Sequence, residues 1–325
     1  MIDNYGRTID YLRISVTDRC NLRCKYCMPE KIESVPMSEI LTFEEIRTVA
    51  EEAAALGFKH IKLTGGEPLV RKGMPELVRI LKSVDGIEKV TMTTNGVLLG
   101  VMLPELLSAG LDAVNISLDT LDRDQYREIT GSDEVRTVRS AIQIAQELGI
   151  RVKVNAVSLN LGEENLRGLL DIARKYPVDV RFIEMMPIGF GKNYESVNHN
   201  VLYKKLEEMF PGMIIDERPH GFGPAVYYKI PGYRGSVGLI SAIHGKFCGT
   251  CNRVRLTSQG YLKTCLCYND GADLREVLRS SLPEEEMIVV LRGRIEEVVL
   301  RKPGEHCFDK PQNITEEAGM NAIGG

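Results

Sequence analysis

Leu12-Arg13-Ile14-Ser15-Val16-Thr17-Asp18-Arg19-Cys20-Asn21-Leu22-Arg23-Cys24-Lys25-Tyr26-Cys27 carries a structural and a chemical signal in one run. Residues 12–17 alternate apolar and polar side chains, the period-2 pattern of a strand with two different faces. The strand leads directly into three cysteines spaced C-x3-C-x2-C. Three thiolates are one fewer than a closed four-cysteine site uses. An iron–sulfur cube held this way keeps one iron open to a small-molecule ligand. A zinc knuckle is the competing reading, but it wants a fourth ligand at knuckle spacing, and the nearest histidine is His60.

The strand signal recurs. Short β-branched runs near residues 60–65, 89–94, 112–118, 151–157 and 179–184 alternate with amphipathic helical stretches. Thr42-x-x-Glu45 is a capping box ahead of the stripe Phe43, Ile46, Ala50, Ala53 and Leu56, and Gly57 suits its end. Pro75 fits the first turn of the next helix. Val135, Val138, Ile142, Ala145 and Leu148 make another helix, closed by Gly149, and Leu166, Leu169, Leu170 and Ala173 mark one more. Six β/α repeats predict an α/β fold, a partial (β/α)6 TIM-type barrel over residues 1–200. From about residue 200 the chain reads as irregular and β-rich, with turns at Pro231-Gly232 and Arg234-Gly235. Residues 201–325 are expected to form an extension packed over the open side of the barrel, ending in a flexible tail.

Ordinary barrels fill their interior with aliphatic side chains. Here one strand face is repeatedly polar: Arg13, Ser15 and Thr17; Lys62 and Thr64; Thr91 and Thr93; Asn115 and Ser117; Lys153 and Asn155; Arg181. If the apolar faces meet the helices, the polar faces line a lumen, and buried Arg and Lys need anionic partners. The alternative is strand ends that reach solvent. The formal net charge of the 325 residues is −4, which gives no overall pull toward nucleic acid or an anionic membrane. No apolar run is long enough to span a bilayer and no signal peptide is visible, so a cytoplasmic protein is expected. In that compartment eight cysteines read as metal ligands or buried thiols rather than disulfides.

Two further motifs bear on chemistry. Thr64-Gly65-Gly66-Glu67-Pro68 ends the second strand, at the same mouth as the cysteines, with backbone a ligand can approach closely. Cys248-Gly249-Thr250-Cys251-Asn252-Arg253-Val254-Arg255 and Cys265 form a second group, spaced C-x2-C-x13-C. Zinc is a serious reading there, because Cys267 and His244 could complete a tetrahedral site. Arg253 and Arg255 face one way if extended, which suits a phosphate or a purine edge better than a closed structural knot. Their alternative is a solvated surface strand. Cys307 reads as a buried thiol.

Taken together these residues resemble the radical S-adenosylmethionine (SAM) enzymes, and within them the GTP 3′,8-cyclases of molybdenum cofactor biosynthesis. The resemblance runs end to end. It includes the early triplet, Thr64 to Pro68, Thr93-Thr94-Asn95-Gly96, Lys153-Val154-Asn155, Arg181-Phe182-Ile183-Glu184, the second group with Asn-Arg-x-Arg, and the terminal Gly324-Gly325. It implies two [4Fe-4S] clusters, one on Cys20, Cys24 and Cys27 and one on Cys248, Cys251 and Cys265. It implies SAM held by Tyr26, Gly66, Ser117 and Met186; the first and last of these also have ordinary core readings. GTP would meet Arg13, Lys62, Thr93, Lys153, Arg253 and Arg255, with Arg181 at the reacting centre. Lys62 stands where the family usually has Arg, offering a point charge rather than a fork. The implied reaction cleaves SAM to methionine and a 5′-deoxyadenosyl radical, which takes hydrogen from the ribose 3′ carbon so that this carbon attacks C8 of guanine. An external flavodoxin- or ferredoxin-type electron donor and a downstream cyclic pyranopterin monophosphate synthase are implied partners. The resemblance also sends Gly324-Gly325 into the active site, against the fray that its composition suggests. A radical-SAM peptide maturase and a double zinc-binding adaptor are the rival readings.

Overall fold

The computed structural model describes residues 1–28, 35–195 and 197–324. Six parallel strands appear where the alternation predicts them: β1 (Tyr11–Ser15), β2 (His60–Thr64), β3 (Lys89–Thr94), β4 (Ala113–Ser117), β5 (Arg151–Val157) and β6 (Asp179–Ile183). Between them run α1 (Phe43–Ala55), α2 (Met74–Lys82), α3 (Leu99–Ser108), α4 (Arg123–Thr130), α5 (Val135–Glu147) and α6 (Glu163–Lys175). The capping box of α1 is formed: Glu45 N donates to Thr42 Oγ1 (3.1 Å) and Thr42 N to Glu45 Oε2 (2.7 Å). The apolar strand faces, such as Leu12, Ile14 and Val16 or Val152, Val154 and Ala156, are buried in the main core. Each such Val, Leu or Ile contributes roughly 1.5–3 kcal/mol by leaving water.

The sheet is open rather than a closed barrel. The later chain adds α7 (His199–Met209), β7 (Ile214–Ile215), β8 (Val226–Lys229), β9 (Val237–Ile240), β10 (Arg253–Leu256), β11 (Tyr261–Lys263) and β12 (Gly271–Asp273). Strand order is β12-β11-β10-β1-β2-β3-β4-β5-β6-β9-β8-β7. Thus β10 joins β1 in parallel and β9 joins β6 in parallel, with antiparallel strands outside each. The extension does more than lie over the opening, as the sequence reading had it: it continues the sheet at both edges.

The later chain is also more helical than its sequence suggests. After α8 (Leu274–Leu278) comes α9 (Glu284–Leu300), with Glu284, Glu285 and Glu286 in its first turn. Its Ile288-Val289-Val290 run reads as strand, and Val289 is indeed exposed. The helix forms because Leu291, Ile295, Val298 and Val299 fall on one stripe and bury it. Arg292 Nε, bonded to Glu52 Oε2 (2.7 Å), ties α9 to α1. A last short helix, α10 (Met320–Ile323), follows. Among the described residues no helix is long and apolar enough to cross a membrane.

Candidate active site

The polar strand faces line one cavity of about 980 Å³. Arg13, Lys62, Thr64, Thr91, Thr93, Asn115, Ser117, Lys153, Asn155 and Arg181 all face it. Ser15 and Thr17 do not contribute to its wall. Gly324 lies against Ser15, and Gly65-Gly66 lies against the Thr17–Arg19 backbone. A Cβ on Gly66 would meet Arg19 O at 2.3 Å, so this glycine is required by chain-to-chain contact as well as by any ligand. Gly66 N donates to Thr17 O (2.7 Å) and Glu67 N to Arg19 O (2.8 Å), which fixes the glycine loop to the cysteine loop.

Cys20, Cys24 and Cys27 line the mouth just beyond β1. Cys24 O accepts from both Cys27 N and Met28 N (2.9 Å each), the turn that gathers the sulfurs. Leu22 N (3.4 Å) and Asn95 Nδ2 (3.8 Å) donate to Cys20 Sγ. Burial, then Asp119 and the other thiols, push Cys24 far up; burial and Cys20 push Cys27 up to about 12. Two buried carboxylates lie close by. Asp119 accepts from Tyr26 OH (2.7 Å) and Val157 N (2.8 Å), and burial raises it to about 6. Glu67 accepts from Thr94 Oγ1 (2.7 Å), Asn95 N (2.6 Å) and Leu69 N (3.0 Å), and burial raises it to about 7. The Gly-Gly-Glu-Pro and Thr-Thr-Asn-Gly motifs are therefore one interlocked unit.

Deeper in, cations meet cations. Arg255 of β10 is in register with Arg13 of β1, and Arg13 with Lys62 of β2. Like charges on one rung of a sheet repel. Burial and its cationic neighbours pull Lys62 far down, and burial holds Arg13 at about 10. Lys153 is drawn down to about 7 by burial and then Arg181; it donates to Tyr227 OH (3.1 Å) and to His220 O. Arg181 is braced by Asn155, whose Oδ1 accepts from Nε (2.9 Å) and Nη2 (2.5 Å). A Cβ on Gly238 would meet Arg181 Cγ at 2.9 Å, so β9 must be bare there.

Cys248, Cys251 and Cys265 line the far wall, beside Arg253 and Lys302. His306 N donates to Cys248 Sγ (3.4 Å). Although burial acts against it, Cys251 is lowered by Lys302, Arg253 and Arg255. The zinc completion drawn from sequence is not made. Cys267 Sγ meets Cys307 Sγ instead (3.2 Å), and His244 Nδ1 pairs with buried Glu184. Among the described residues no three His, Cys, Asp or Glu side chains converge on a single-ion site. Two half-buried three-thiol sets, each with an N–H donor on sulfur and each opening on the cavity, do fit iron–sulfur cubes with one iron free.

The tail corrects the composition-based reading. Asn321 and Ile323 are buried, and Arg255 Nη1 donates to Gly324 O (2.7 Å). A Cβ at Gly324, whose φ is 73°, would lie 2.9 Å from Thr64 Oγ1. Gly325 lies outside the described residues. Tyr26, Gly66, Ser117 and Met186, both cysteine triads, Arg181 and the set Arg13, Lys62, Thr93, Lys153, Arg253 and Arg255 all line this one cavity. Sequence reasoning missed Asp119, Lys302 and the loop 219–224, where Phe222 stacks on His60 (centroids 3.5 Å apart). Asp119 was detectable, since it continues the 115, 117 alternation; Lys302 had no comparable signal.

Comparison with known proteins bears on this arrangement directly. The Radical SAM superfamily matches residues 14–176, and the Molybdenum Cofactor Synthesis C family matches residues 178–308. A GTP 3′,8-cyclase of Clostridium perfringens is 39% identical over 327 residues, covering all of both chains. The chain belongs to the GTP 3′,8-cyclase family of radical SAM enzymes. GTP 3′,8-cyclases of Pelotomaculum thermopropionicum (42% identical) and Alkaliphilus oremlandii (40%) also match over full length. Among solved structures, Streptococcus suis SuiB bound to S-adenosylmethionine aligns with a TM-score of 0.64 at 15% identity, over 84% of this chain and 66% of that one. That likeness concerns the fold. The enzyme's cofactors are accordingly [4Fe-4S] clusters and SAM.

Proposed function

We infer that the enzyme joins C3′ of the GTP ribose to C8 of its guanine, giving (8S)-3′,8-cyclo-7,8-dihydroguanosine 5′-triphosphate, the first step toward molybdopterin. The observation that carries this is the rung Arg255–Arg13–Lys62, three cationic side chains in register on the cavity wall and flanked by Lys153 and Arg253. Such a rung is stabilised by a polyanion, and a triphosphate supplies one. SAM bound at the first cluster supplies the 5′-deoxyadenosyl radical when reduced.

The protein's own residues bind, orient and shield. Tyr26, Gly66, Ser117 and Met186 are assigned to SAM beside Cys20, Cys24 and Cys27. Arg13, Lys62, Thr93, Lys153, Arg253 and Arg255 are assigned to GTP. The Cys248, Cys251 and Cys265 end is assigned to the guanine. Arg181, braced by Asn155, is assigned to the reacting centre. Fixing both ends of GTP would hold the ribose toward SAM, where misplacement would cost rate steeply. Residues 1–200 would thus serve SAM, and residues 201–325 would complete the nucleotide site. Electrons would come from a flavodoxin- or ferredoxin-type donor, the product would pass to a cyclic pyranopterin monophosphate synthase, and the enzyme would work in the cytoplasm.

The peptide-maturase rival keeps only a fold-level argument, since SuiB is also known bound to its precursor peptide SuiA. The cationic rung has no use for a peptide backbone. Anaerobic turnover with reductant and SAM, with and without GTP, tests the assignment. GTP-dependent 5′-deoxyadenosine with a product isomeric with GTP is expected; SAM cleavage indifferent to GTP would move the substrate elsewhere.

A further inference from the structure

Two of the eight cysteines belong to neither triad. Cys267 and Cys307 lie 40 positions apart in sequence with their sulfurs 3.2 Å apart. Neither faces the cavity, although Cys265, two residues before Cys267, does. Both are buried in a second apolar cluster with Ile188, Ala242, Leu266 and Phe308. Cys307 N also donates to Cys267 Sγ (3.4 Å), so the backbone as well as the side chain is turned toward the partner sulfur.

We propose that Cys267 and Cys307 form a redox site of their own, a dithiol that closes reversibly to a disulfide. The sulfurs already face each other, and reaching the bond length of about 2.05 Å brings them together by about 1 Å. The oxidant is a peroxide. Its distal oxygen transfers to Cys307, the less deeply buried member, giving a sulfenic acid and one water; Cys267 then attacks that sulfur and a second water leaves. Two thiol hydrogens and two electrons are lost in all, and a dithiol reductant restores them by exchange. The bridge joins two segments that build the wall of the second triad. One segment carries Cys265; in the other, His306 N donates to Cys248 Sγ (3.4 Å). Ile323 of α10 packs on the same cluster, so the bond also fixes the seat of the tail. The inference stands whatever substrate the cavity takes.

The test uses the full-length enzyme with both clusters in place. It is treated anaerobically with one equivalent of hydrogen peroxide, quenched with N-ethylmaleimide in denaturant, digested and weighed. A peptide pair linked through Cys267 and Cys307 is expected, two hydrogens lighter than the reduced pair, and dithiothreitol should return both residues to the alkylated form. Alkylation of both residues after peroxide, or a link from Cys267 to Cys265 in its place, would overturn the proposal. The variant Cys267→Ser/Cys307→Ser gives an independent check, with iron per chain expected at the wild-type value. Loss of about half the iron from that variant would make Cys267 a cluster ligand and end the proposal.

Discussion

Cys20, Cys24 and Cys27 share their end of the cavity with two buried carboxylates, Asp119 and Glu67. Cys248, Cys251 and Cys265 share theirs with Lys302, Arg253 and Arg255. The same chemical unit, a set of three thiols, thus has carboxylates for neighbours at one end and cations at the other. In the first, burial and neighbouring negative groups hold Cys24 and Cys27 protonated until a metal displaces the proton. In the second, cations offset burial and Cys251 ionises more readily than an ordinary thiol. The difference is what the proposed division of tasks would use: an acidic end suits the sulfonium and ammonium groups of SAM, and a basic end suits a nucleoside triphosphate.

The strongest way to break this division is to remove one thiol from each end. Cys24→Ser should abolish 5′-deoxyadenosine formation, with or without GTP. Cys251→Ser should retain SAM binding and the first cluster but lose the cyclised product. Equal loss of SAM binding in both variants, measured by equilibrium dialysis, would show that the ends are not separable. A smaller effect is expected at Arg255. Its charge-assisted contact is worth about 1.5–3 kcal/mol, so Arg255→Ala should weaken GTP binding by roughly 10- to 100-fold while SAM affinity holds. Unchanged GTP affinity would remove Arg255 from the substrate set.

The smallest effect is one of pH. Burial and Arg181 disfavour the charged form of Lys153, so without ligand it titrates near 7. A triphosphate favours the ammonium. Binding above that pH therefore takes up a proton, and affinity falls as pH rises, by at most about tenfold per unit for one proton. Calorimetry in two buffers of different ionisation enthalpy should register the uptake at pH 8, and Lys153→Arg should reduce it, because Lys62 is also held down by burial and its cationic neighbours. Uptake undiminished in the Arg variant would assign the proton to other groups.

Much of this was legible in the chain because its signals are local. The period-2 alternation marked β1 through β6 to within a residue or two, and the same alternation named the cavity wall. Cysteine spacing marked both triads. What the sequence hid depends on distant partners. The stripe of α9 is outvoted locally by Ile288, Val289 and Val290, and only burial beside α1 decides for helix. Cys267 looked able to complete a zinc site because it follows Cys265 by only two residues. The 264–268 segment is not a strand, and its sulfur turns to Cys307. The tail looked loose because glycine and alanine carry no packing signal, yet Arg255 holds it through a backbone carbonyl.

The placement of β10 against β1 has a consequence for how the molecule is made. Asn252 Nδ2 bonds Asp10 Oδ1 across 242 positions of chain, and the register of both strands begins there. While the ribosome is still synthesising the second half, β1 is an unpaired edge and the floor of the cavity lacks Arg255. The nascent barrel half therefore cannot close its sheet until nearly the whole chain has emerged, and such long-range pairing folds slowly with its edge open to other chains.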